Sequence, residues 1–176
     1  MMRRLSFVLV LGALLIAGAG GEQIDEYQMK AVYLYNLVKF VEWPAPAFKN
    51  AADPIAICAL GESPILHTLE ETVNGETIED RKLIVRPVAG IAQVNSCQIL
   101  FIASSDRKYL RSILRDLKTT GILTVGETEG FTSEGGVVNL KLEGGKVRIE
   151  INLKAAERQK LRISPKLLSL AQVVSK

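Results

Sequence analysis

The sequence contains one histidine and lacks the short motifs that hydrolases and nucleotide-binding enzymes use. His67 lies between Leu66 and Leu69 in a helical pattern, and the sequence offers no second histidine to share a metal with it, so we interpret it as a helix-surface residue. The chain has neither a Gly-x-Ser-x-Gly nucleophile elbow nor a Gly-x-x-x-x-Gly-Lys-Ser/Thr phosphate loop. We therefore expect no enzymatic activity, no metal and no cofactor.

Basic charge is also scarce once the N-terminus is set aside. The 22 Lys and Arg residues exceed the 19 Asp and Glu residues by three. Two of those basic residues are Arg3 and Arg4, so removal of a leader leaves 20 against 19, or +1. A net charge of +1 lacks the excess of basic residues that is typical of nucleic-acid-binding proteins, so we expect no nucleic-acid partner.

Only one long apolar run occurs, and it stands at the start. Arg3 and Arg4 precede an uncharged stretch from Leu5 to Gly20 that ends near the small residues Ala17-Gly18-Ala19. This pattern predicts a signal peptide over residues 1–19, cleaved after Ala19 or close to it, and export to the periplasm. An uncleaved membrane anchor is the alternative, although a helix that crosses a bilayer needs roughly 20 apolar residues and this run is a little shorter. Residues 20–176 then match one domain.

Cysteine is limited to Cys58 and Cys97. Export to an oxidising compartment permits a disulfide between them, and two separately buried thiols are equally compatible with the residues alone.

The remaining pattern alternates strands and helices. The first helix carries Tyr27, Ala31, Leu34, Val38 and Val41 on one stripe and ends at Trp43-Pro44. Apolar runs then predict strands at Ile55 to Leu60, Leu83 to Val88, Ile99 to Ala103 and Ile122 to Val125, with helices after the first and third. We predict a three-layer α/β fold, with a mostly parallel sheet flanked by helices on both sides.

A hairpin and two short helices complete the prediction. Gly144-Gly145 joins two strands of alternating polarity, whose outer face would present Asn139, Lys141, Lys146, Arg148, Glu150 and Asn152. Asn152 caps a short helix, and Ser164-Pro165 opens another that carries Leu167, Leu168, Leu170, Ala171 and Val174.

The carboxyl ends of the parallel strands form the candidate ligand pocket. They would gather Ser63 near Ser104 and Ser105, with Glu127 adjoining. Plain helix capping by Ser63 and Asp106 is the alternative. We interpret Glu127, together with Glu129 and Glu134, as a solvated acidic loop.

Several segments together resemble the YfiR-like periplasmic proteins across the mature chain. They are residues 27–31 and 35–44, Ile57-Cys58-Ala59-Leu60-Gly61, residues 97–102, Leu123-Thr124-Val125-Gly126, Gly135-Gly136, residues 147–153 and Leu161-Arg162-Ile163-Ser164.

This resemblance implies a periplasmic, often dimeric α/β protein that restrains a membrane-anchored diguanylate cyclase by binding its periplasmic portion. It also implies a bridge between Cys58 and Cys97, and it places Glu150 and Asn152 at the partner surface. Some relatives carry a second cysteine pair, which this sequence lacks. A small-ligand sensor module that acts on another membrane signalling protein is the alternative function.

Overall fold

The computed structural model describes residues 26–117 and 120–174. The predicted signal peptide, residues 1–19, lies outside the described residues. Within these ranges, no helix combines the length and the hydropathy needed to cross a bilayer. The elements are α1 Glu26–Phe40, β1 Val41–Glu42, β2 Ile55–Leu60, α2 Ile65–Val73, β3 Thr77–Ile78, β4 Arg81–Val88, β5 Ile99–Ile102, α3 Leu110–Asp116, β6 Leu123–Gly126, β7 Val138–Glu143, β8 Lys146–Asn152, α4 Leu153–Arg158, β9 Arg162–Ile163, α5 Pro165–Leu168 and β10 Gln172–Val174.

One eight-stranded sheet organises the chain in the order β10-β8-β7-β6-β5-β2-β4-β3. The pairs from β4 through β2, β5 and β6 to β7 are parallel, and β10 is parallel to β8. The β7–β8 hairpin and the short β3 are antiparallel to their neighbours. A separate two-stranded sheet joins β1 to β9. The predicted mostly parallel α/β fold with an antiparallel hairpin is confirmed.

The two faces of this sheet bury two separate cores. In β2, Ile57 and Ala59 face a core that contains residues of α1 and α2, whereas Ala56 and Leu60 face a core that contains residues of α3. Because alternate side chains of a strand point to opposite faces, a strand covered on both sides is apolar throughout, as β2 is.

The second core also holds the cysteines. Cys58 and Cys97 form a disulfide, with their Cα atoms 5.8 Å apart. Both side chains are buried, and the guanidinium of Arg86 lies against them, with Nη2 3.5 Å from Cys97 Sγ. The structure thus has the bridge that the family resemblance implied.

The predicted C-terminal helix is wrong beyond α5. That helix ends at Leu168, and residues 172–174 pair with β8 instead, with Val173 opposite Ile151. Consecutive β-branched residues suit a strand, and the edge of β8 offers backbone partners that a local pattern cannot reveal.

The predicted outward polar face of the hairpin is also wrong in part. Asn139 and Asn152 are buried, because residues 127–137 fold across this face. Phe131 anchors that segment: it is fully buried and lies against Gly126 and Gly136, where an added Cβ would fall 2.1 Å and 2.0 Å from its ring. No side chain larger than hydrogen fits at either glycine with the ring in this position.

Candidate functional site

The residues of the predicted strand-end pocket form hydrogen bonds with nearby backbone amides and with Glu127. Ser63 Oγ accepts from the amide of Ile65 at 3.3 Å, and Ser105 Oγ accepts from the amide of Glu62 at 3.0 Å. The amide of Ser104 donates to Glu127 at 3.0 Å. Neither of the two grooves described below, of about 610 Å³ and about 560 Å³, has one of these three serines in its wall. A ligand at this position stays a prediction.

A buried ion pair underlies these strand ends. Lys30 of α1 places Nζ 2.7 Å from Glu127 Oε2 and also pairs with Glu26 one helical turn earlier. The side chains of Lys30 and Glu127 are 3% and 4% exposed, so the prediction of a solvated Glu127 is wrong. Burial opposes the charge on Lys30, yet the hydrogen bonds to Glu127 and Glu26 outweigh it and raise the pKa of Lys30.

Tyr27 shares this environment. Its ring centroid lies 5.3 Å from Lys30 Nζ, and burial together with the nearby charge of Glu127 raises its pKa. The cluster therefore links α1 to the end of β6 through charge as well as packing. Lys30 and Glu127 are 97 residues apart in the chain, so no local motif predicts their pairing.

The two residues predicted at the partner surface have different surroundings. Asn152 Oδ1 accepts from the amide of Ala155 at 3.0 Å, and its Nδ2 donates to the carbonyl of Thr132 at 2.8 Å. This confirms Asn152 as the N-cap of α4 and places its side chain out of reach of a docking protein. Glu150 is half-buried and accepts a hydrogen bond from Thr132 Oγ1. Contact of Glu150 with a partner stays a prediction.

Sequence analysis missed an exposed apolar area at the open edge of the sheet, where β10 is the last strand. We call it the edge surface: Leu170 and Val173 are its exposed residues, Tyr33 is half-buried, and the buried Val147 and Ile149 line the groove beside them. Leu170 is 70% exposed and Val173 41% exposed. A groove of about 610 Å³ runs along it between Tyr33 of α1 and Leu170. The run of apolar residues near Leu170 was visible in the sequence, but a helix was assigned to it.

The described residues contain no group of three His, Cys, Asp or Glu side chains arranged to hold a metal ion. His67 lies on the surface of α2 with its side chain 80% exposed, and its Nε2 is 3.4 Å from Glu71.

The similar solved structures share little sequence identity with this chain. A conserved domain protein from Vibrio cholerae O1 biovar El Tor is 12% identical, with a TM-score of 0.56, over 85% of this chain and 60% of that one, and it shows the fold alone. The ABC domain in complex with L-Trp from Streptococcus pneumoniae is 11% identical over 68% of this chain and 55% of that one, and its TM-score of 0.49 carries no argument. The chain thus spans little more than half of either structure.

No curated protein matches the chain. A family model described as YfiR/HmsC-like matches residues 27–172, from the start of α1 into β10. The match includes both strands of the hairpin, the disulfide and the segment that covers Asn139. The chain therefore belongs to the YfiR/HmsC-like family.

Proposed function

We propose that the protein is a periplasmic binding protein that restrains a membrane-anchored diguanylate cyclase and so lowers cyclic-di-GMP signalling. Membership of the YfiR/HmsC-like family supports a regulatory role in this signalling at the level of the family. The leader-like residues 1–19 support export. The proposed action is binding of the cyclase's periplasmic portion, and it includes no catalytic step.

The edge surface is the observation that carries this proposal. A large aliphatic side chain such as Leu170 gains little from lying 70% exposed on a free domain. Beside it, the outer side of β10 presents backbone groups that no neighbouring strand of the described sheet satisfies. An apolar patch at an open strand edge is typical of a site where a segment of another protein adds to the sheet.

Glu150 lies near the same edge, with its side chain on the opposite face of the sheet from Val147 and Ile149. It stands opposite Gln172 in the pairing of β8 with β10, one strand in from the open edge. Its bond with Thr132 also ties the edge to residues 127–137. A partner that contacts both β10 and Glu150 would contact two strands that pair with each other, β10 and β8.

Capture of the cyclase from membranes tests the proposal. The purified protein would be used as bait on detergent-solubilised host membranes, in wild-type form and with Leu170→Asp, which removes the exposed apolar contact. Tyr109→Asp is the matched control, because Tyr109 is 52% exposed and outside the edge surface. We expect wild type and Tyr109→Asp to recover a membrane diguanylate cyclase, and Leu170→Asp to recover about tenfold less.

Glu150→Lys adds a second arm. Because Glu150 accepts a hydrogen bond within the fold, the Glu150→Lys variant is compared only if its thermal unfolding midpoint matches that of wild type. Recovery of no cyclase by the wild-type bait would refute the proposed function, and equal recovery by the Leu170 and Tyr109 variants would refute the edge surface. Light scattering of the bait alone would show whether the same edge joins two copies of the chain.

A further inference from the structure

A second concave surface, on the other side of the sheet, is lined by three arginines and has no assigned role. The groove measures about 560 Å³ and lies between α3 and α4, with residues 133–135 along its rim. Arg111 and Arg115 come from α3, and Arg158 comes from α4. Glu134 is the one carboxylate among the groove's lining residues within the described part of the chain.

Glu134 is already engaged by one of the three arginines. Arg111 donates to it through Nε at 2.6 Å and through Nη2 at 2.9 Å, a two-point bond that lowers the pKa of Glu134. Arg115 is 3.6 Å from the carboxylate of its chain neighbour Asp116, which does not line the groove. Across residues 26–117 and 120–174, Arg158 forms no ion pair with a carboxylate. The lining therefore carries two positive charges that its own carboxylate does not balance.

The floor of the groove is preorganised. Thr124 Oγ1 accepts from the amide of Val137 at 3.0 Å, and Gln159 spans from the amide of Gly121 to the carbonyl of Leu117 at 2.9 Å and 2.7 Å. The side chain of Asn152 is likewise fully used. Arg115 and Arg158 are then the charged groups of the lining that remain to bind something in the groove.

Gly135 lies beside Arg158 in one wall of the groove, and its φ of +106° favours glycine there. A Cβ at Gly135 would lie 3.8 Å from Arg158 Nη2, so this end of the guanidinium lies beside backbone that carries no side chain. Guanidinium groups bind carboxylates and phosphates through two parallel hydrogen bonds, and a concave wall of one charge sign concentrates the potential. The volume lies within the range of small-molecule sites.

We infer that the groove between α3 and α4 binds a small molecule with two or more carboxylate or phosphate groups, held between Arg115 and Arg158. This site is separate from the edge surface and does not depend on the proposed cyclase. It differs as well from the strand-end position of Ser63 and Ser104. A ligand bound in this groove would not contact the edge surface directly.

Calorimetric titration of the purified protein with citrate, pyrophosphate and acetate tests this inference, with ionic strength held at about 0.15 M. We expect saturable one-to-one binding of citrate or pyrophosphate and none of acetate, since a single carboxylate forms its two parallel hydrogen bonds with one guanidinium only. The tighter of the two polyanions then identifies carboxylate or phosphate as the preferred group.

Charge-matched variants complete the experiment. Arg115→Gln/Arg158→Gln should weaken binding at least about tenfold, because two charge-assisted contacts are lost. Arg107→Gln/Arg148→Gln removes the same charge outside the groove and should change affinity less than about twofold. Absence of saturable binding by both polyanions would overturn the inference, and so would an equal loss in the two double variants. Neither result bears on capture of the cyclase.

Discussion

The buried Lys30–Glu127 pair offers a quantitative test of how α1 is held to the sheet. In Lys30→Met, the Glu127 carboxylate stays 4% exposed and loses its cation, and it retains the amide of Ser104 as a donor. Removing one partner of a buried pair costs about 3 to 5 kcal/mol. We expect the low end, about 3 kcal/mol, because Glu127 keeps that hydrogen bond and can take up a proton.

Glu127→Gln should cost less, about 2 kcal/mol, because Lys30 keeps its bond to Glu26 and the new amide can still accept from Ser104. The double variant leaves no uncompensated buried charge at this position. Its free energy of unfolding should therefore fall by about 3 kcal/mol and not by the sum of about 5, a coupling of about 2 kcal/mol.

Urea denaturation followed by circular dichroism measures all four proteins, and Lys30→Met should also lower the thermal midpoint by about 10 °C. Lys39→Met is the matched control, since Lys39 lies exposed on the same helix with Nζ over the ring of Tyr35, and its loss should cost at most about 1 kcal/mol. Additive single effects, within about 0.5 kcal/mol, would refute the account of a coupled buried pair.

Two further predictions concern alkaline pH and the disulfide. The folded state raises the pKa of Lys30 above the ordinary lysine value of 10.5. The stability from its charged form is therefore fully present below 10.5 and is lost as pH rises through the higher folded pKa. Urea titrations at rising alkaline pH should therefore show a steeper loss for wild type than for Lys30→Met, and parallel curves would contradict this. Cys58→Ala/Cys97→Ala opens a loop with a sequence separation of 39 residues, for which chain entropy predicts a loss of about 4 kcal/mol. Denaturation with and without reductant measures it, and a variant as stable as oxidised wild type would contradict the estimate.

Local sequence was sufficient to predict the elements whose burial or turn conformation depends on neighbouring residues. The continuous apolar run of β2 required cover on both faces, and the structure provides it. Gly144-Gly145 correctly located the hairpin turn, with both glycines at positive φ. Asn152 was recognised as a helix cap because that role is settled within three residues. Family resemblance, more than the residues themselves, indicated the pairing of Cys58 with Cys97.

Tertiary structure decided which polar groups are buried and which apolar ones are exposed. Glu127 was interpreted as a solvated charge and Lys30 was not singled out, because nothing within a few residues of either reveals the other. Asn139 looked solvent-facing because the alternation of a strand does not show that residues 127–137 return to cover it. Val173 joined an edge strand in place of a helix for the same reason: its backbone partners on β8 lie more than 20 residues earlier in the chain. Pairings between distant segments depend on the folded sheet, and so do the edge surface and the arginine groove that they create.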